Sequence, residues 1–99
     1  MNLKINANAI CAAERALGKP FVEIITELEA KEGPALSTLR ALLAAGLATA
    51  RWPNFPVLYI DEHEAGRLID EHGIDATAAE IGGALRGYFD TVRAATNGK

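Results

Sequence analysis

Ninety-nine residues with a formal net charge of −3 and a pI near 5.3 make one domain with a modest core. The acidic balance disfavours a nucleic-acid partner, which needs a basic face to displace phosphate counterions, and it disfavours anionic membrane surfaces too. A lone cysteine, Cys11, excludes an internal disulfide, and the longest uncharged run, ALLAAGLATA, is about half a membrane span.

Leu3 and Ile5 alternate with polar residues, which predicts a short extended arm over 1–5. Asn6 or Asn8 offers a cap for a first helix reaching Leu17, with Gly18 as its stop. Cys11, beside Ile10, Ala12 and Ala13, reads as a small core residue rather than a nucleophile. No basic, apolar and small-residue series opens the chain, so no signal peptide is expected and the location expected is the cytoplasm.

Pro20 suits the first turn of a second helix. Phe21, Ile24, Ile25 and Leu28 form its apolar stripe, with Glu27 and Lys31 in the favourable i, i+4 order on the other face. Gly33 and Pro34 break it. LSTLRALLAAGL follows, with Leu36, Leu39, Leu43 and Leu47 at helical spacing. Ser37 is its expected N-cap and Gly46 its expected stop, giving a third helix from about Ser37 to Ala45.

The segment 51–60 differs in kind. It holds Pro53, Pro56 and three of the six aromatics, Trp52, Phe55 and Tyr59, with no helical period. The prolines argue for an ordered, extended connector. Aromatics on a stiffened segment suit a partner interface, and Trp52, Phe55 and Tyr59 are the candidate contacts; the alternative is a lid folded back on the core.

Asp61 with Glu64 makes a capping box for a fourth helix, in which Ala65, Leu68 and Ile69 face inward and Gly73 is the stop. Thr77 with Glu80 repeats that signal for a fifth helix to about Ala95, with a stripe of Ile81, Leu85, Tyr88 and Val92 beside Phe89. The tail, 96–99, is expected to fray. Ala79, Gly83 and Gly87 share one face. Glycine inside a helix costs about 1 kcal/mol, so close packing of another helix, in the same chain or in a second subunit, is the expected compensation.

No segment carries a reaction. HEAGR (63–67) has Arg67 where the zincin motif needs a second histidine, and a divalent site over Asp61, Glu62, His63, Glu64 and His72 is weaker than a solvated acidic helix start. His72 complements a helix C-terminus, and Ser37, the only serine, has no histidine near it in sequence. GGALRG (82–87) lacks the phosphate-binding order and a preceding strand. No catalytic, cofactor or metal residues are therefore assigned. The fold expected is all-α: a single domain, 1–99, of about five short helices with the connector at 51–60.

NANAICAAERALGK, LSTLRALLAAGL and DEHEAGRLIDEHG, together a little under half the chain, resemble the small tail assembly chaperones of long-tailed phages and gene transfer agents. The branch resembled is the gene-transfer-agent type, sometimes labelled a tail tube protein. The resemblance implies a non-enzymatic protein of a bacterial host's cytoplasm. It would bind the tape measure protein, recruit tail tube protein subunits and leave the finished particle, and self-association is compatible with it. It also implies a short form, in a family where a longer frameshifted form is common. Binding a helical partner calls for an apolar groove, for which Leu39, Leu43, Ile81 and Leu85 are candidates when they are not core. The other readings are a structural tail or connector component retained in the particle, and an unrelated helical regulatory adaptor.

Overall fold

Five helices follow in chain order: α1 (Ala7–Leu17), α2 (Phe21–Glu29), α3 (Leu36–Arg51), α4 (Glu62–His72) and α5 (Ile74–Asn97). They come from a computed structural model that describes residues 2–54, 57 and 59–97. No strand occurs among the described residues, and the fold is all-α as expected. The Cα radius of gyration, 12.9 Å, matches the value of about 13 Å for some 100 residues folded around one core.

α3 is the centre of the domain. Thr38, Leu39, Ala41 to Gly46 and Thr49 are buried, so the helix is covered on nearly every side. α1, α4 and α5 pack against it. Ile24, Leu39, Leu42, Leu43 and Ile81 are fully buried, each stabilising the fold by roughly 1.5–3 kcal/mol. α2 closes one side through Ile24, and through Phe21 stacked 5.4 Å from the Phe89 ring of α5.

Four expectations about α3 and its neighbours are corrected. The helix starts at Leu36, one residue before the expected cap Ser37, and continues past Gly46 to Arg51. Gly46 has no positive φ and is not a stop. Its role is steric: the arm 2–5 crosses α3 there, Lys4 N–H donates to the Gly46 carbonyl at 3.1 Å, and an added Cβ would lie 3.3 Å from Leu3 Cδ2 and 3.4 Å from Ile5 Cδ1. Leu36 itself is 54% exposed, while Thr38 and Leu39 of the same turn are fully buried, so the burial of α3 begins after its first residues. Cys11 is exposed, since the buried face of α1 is formed by Ala9, Ile10, Ala12 and Ala13.

Helix starts follow a second rule. Asn6 caps α1, its Oδ1 accepting from Ala9 N–H at 2.9 Å, and Asp61 caps α4, accepting from Glu64 N–H at 2.9 Å. The N-cap residues of α2 and α3 are Pro20 and Ala35, which have no side-chain acceptor. Carboxylates of the preceding helices serve instead. Glu14 Oε2 accepts from Phe21 N–H at 2.7 Å, and Glu27 Oε2 accepts from Ala35 N–H at 2.7 Å. Glu27 also pairs with Lys19, whose ammonium reaches Thr38 Oγ1 at 3.5 Å, so the expected Glu27–Lys31 pair gives way to a tertiary one.

α5 starts at Ile74, not Thr77. Gly73 adopts φ 92°, a turn that L side chains resist, so one residue suffices to redirect the chain from α4 into α5. Thr77 lies inside the helix, fully buried, and its hydroxyl has no partner among the described residues. Ile81 and Leu85 are buried as expected, but Val92 is 42% exposed where α5 runs past the core.

Two predictions follow from these contacts. The Lys19 ammonium, then the Thr38 hydroxyl and the Ala35 amide, hold the Glu27 carboxyl at about 2, below the ordinary 4.5, against the opposing effect of burial. A carboxyl with a depressed folded pKa stabilises the fold above its unfolded value. That contribution is lost as pH falls from about 4.5 toward 2. Glu27→Gln is expected to lower stability by about 2 kcal/mol at pH 7, and urea melts should show the difference from wild type shrinking through that window. For the glycines, Gly83→Ala, with open space around its Cβ, should raise stability by up to about 1 kcal/mol. Gly46→Ala, meeting Leu3 and Ile5, should gain less or lose stability; thermal melting compares the two.

Candidate functional site

The aromatic connector divides into a buried part and an exposed part. Val57 is buried, and Arg15 Nη2 of α1 donates to its carbonyl at 2.9 Å. Val57 and Ile60 join the core, so aliphatic side chains perform the lid role considered for the aromatics. Trp52 follows the last turn of α3, its backbone N–H donating to the Ala48 carbonyl at 2.9 Å, and its side chain is 58% exposed. Tyr59 is 77% exposed, at the rim of a shallow hollow of about 220 Å³ formed with Ala12, Arg15 and Ala16. Phe55, the third candidate, lies outside the described residues. Two aromatics of the connector therefore have more than half of their surface exposed, the kind of surface that partners bury.

A larger feature was not anticipated from the sequence. Leu36, Ser37 and Arg40, exposed on the first turns of α3, and the outer side of α4 form an open groove of about 520 Å³. Leu36 and Ile69 supply apolar surface, and the Arg40 stem lies over Gly66, its Cδ 3.6 Å from where a Cβ of Gly66 would stand. Charged side chains form the rim, with Arg40 on α3 and Glu62, His63, Arg67 and Asp70 on α4. Arg67 is paired with Glu71 at 2.8 Å, one turn along α4. Glu64, expected to complete the capping box, reaches Arg51 at 3.3 Å instead. Signals for the groove did exist in the sequence. Gly66 interrupts an otherwise good helix former, and Leu36 stands at the very start of its helix.

Leu39, Leu43, Ile81 and Leu85, candidates for a groove only when they are not core, are core residues. Leu39, Leu43 and Ile81 are fully buried and Leu85 nearly so, all within one core. Ala79, Gly83 and Gly87 are exposed, and nothing lies within 4 Å of a Cβ built on either glycine. The close helix contact expected of that stripe is therefore not made among the described residues. Among the described residues, no three histidine, cysteine or acidic side chains gather as metal ligands do. No helix among them is long and apolar enough to cross a membrane.

Comparison of the chain with protein-family models, with curated proteins and with solved structures returns no match.

Truncating the exposed aromatics should leave the fold intact. Tyr59→Ala is expected to change stability by no more than about 0.5 kcal/mol. Trp52→Ala should cost well below the roughly 3 kcal/mol of a core truncation such as Leu39→Ala. Denaturant melts of the three variants test the assignment of Trp52 and Tyr59 to the surface.

Proposed function

We propose that this chain is a non-enzymatic tail assembly chaperone of a phage or gene transfer agent. In this reading it binds the tape measure protein and recruits tail tube subunits in the bacterial cytoplasm. The reading rests on the resemblance of NANAICAAERALGK, LSTLRALLAAGL and DEHEAGRLIDEHG to that family. The observation that carries it is the surface of an all-helical domain: an open, charge-rimmed groove between two helices, with Trp52 and Tyr59 exposed on the connector. Such a groove suits an amphipathic helix laid lengthwise, with apolar side chains toward Leu36 and polar ones at the rim. A tape measure protein, long and helical, offers many such stretches. The tube subunit label fits less well, since a tube subunit is expected to be strand-rich and no strand occurs among the described residues.

The test is affinity capture of tagged protein from cells making particles, with mass spectrometry of the co-eluting chains and of purified particles. Co-elution of the tape measure protein, with the bait missing from the particles and recovery reduced by Trp52→Ala, is the expected result. A bait retained in the particles at tail stoichiometry would make it a structural component. Unrelated cellular proteins alone would make it a regulatory adaptor.

A further inference from the structure

The groove between α3 and α4 has a charge order as well as a shape. Glu62, Gly66 and Asp70 stand four residues apart on α4, each step about 6 Å along the helix. The stem of Arg40 lies across Gly66. Along some 12 Å the groove therefore presents a carboxylate, a guanidinium and a carboxylate. Glu62, Arg40 and Asp70 make no ion pair among the described residues, whereas Arg67 is engaged by Glu71.

The complementary order is present on the same chain. Arg86, Asp90 and Arg93 are spaced i, i+4, i+7 on α5, which places positive, negative and positive groups on one face over about 10 Å. All three are exposed, and none makes an ion pair among the described residues. Gly83 and Gly87 leave open space beside them, so the backbone of α5 can be approached closely. Tyr88 and Phe89 are the last core contacts of α5, and residues 90 to 94 beyond them are exposed. A helix end that runs past its last core contacts gains little from packing and stands to gain from a surface that covers it.

We propose that the α3–α4 groove of one copy receives the C-terminal half of α5 from a second copy. Asp90 lies opposite Arg40, and Arg86 and Arg93 lie opposite the two carboxylates. In a two-fold dimer the exchange is reciprocal, each copy giving a helix and taking one. Covering Leu36 contributes the apolar part of the contact, while the alternating charges set register and make the pairing sensitive to salt. The pairing needs only this chain, and a tape measure helix entering the same groove would have to displace α5, so the two occupants compete.

Sedimentation equilibrium of the purified full chain tests it. A concentration-dependent dimer that weakens as salt rises is expected. Arg40→Asp and Asp90→Arg should each weaken it by roughly tenfold, with helix content by circular dichroism unchanged. The double variant carries both exchanged charges on every copy and should recover the dimer. A wild type that stays monomeric at millimolar concentration overturns the pairing, as do single variants that dimerise normally or a double variant no better than the singles. A monomer whose backbone NMR signals at Leu36, Arg40 and Gly66 move only when purified tape measure protein is added would assign the groove to that partner instead.

Discussion

The burial of α3 is the constraint on which the rest of this structure depends. A helix covered on nearly every side can have large side chains in only a few directions. Ala41, Ala44, Ala45 and Gly46 are what allow α1, α4, α5 and the N-terminal arm to approach it together. Leu39, Leu42 and Leu43 fill the remaining directions. Close packing of this kind punishes changes of volume in either sense. It also explains why a glycine that looks like a helix terminator stands mid-helix: its absent side chain is the space taken by Leu3 and Ile5.

A second constraint is polar. Pro20 and Ala35 leave the starts of α2 and α3 without a side-chain cap of their own, and Glu14 and Glu27 reach across from the helix before to supply it. Local signals set where α1 and α4 begin, but tertiary contacts hold the beginnings of α2 and α3. The two kinds of cap differ in consequence. Asn6 works in any peptide that starts to coil, whereas Glu27 works only once α2 and α3 are side by side with Lys19 between them. Formation of these two helices is thereby coupled to their docking.

With the core gathered around α3, what remains outside is informative. The first turn of α3, the outer side of α4, the C-terminal half of α5, and Trp52 and Tyr59 on the connector all extend beyond the packed centre. Their side chains are charged, small or aromatic, the composition of surfaces that meet other proteins. A domain with such surfaces and a small core stands to gain stability from each partner that covers them. Partner binding and folding stability are linked here through the same exposed turns.

Much of the secondary structure was legible from residue order alone, for physical reasons that act locally. Asn6 before a run of alanines and Asp61 before EHEA state where helices begin, and Gly18 and Gly73 where they end, because capping needs only a short polar side chain or a positive φ within a few residues. The stripes Phe21–Ile24–Leu28 and Ile81–Leu85 announced their buried faces by spacing. What the sequence could not state is which apolar or small residue meets which neighbour. Leu36 and Val92 continue apolar stripes but emerge past the core, and Cys11 sits among core residues on the face opposite them. Gly46 and Gly66 are alike as letters, yet one receives the N-terminal arm and the other lies beneath the Arg40 stem. Helix type and most helix ends are set by interactions across three or four residues, so the sequence by itself determined them. The groove, the pairing of Glu27 with Lys19, and the roles of the glycines arise between segments far apart in the chain, and only the tertiary structure decided them.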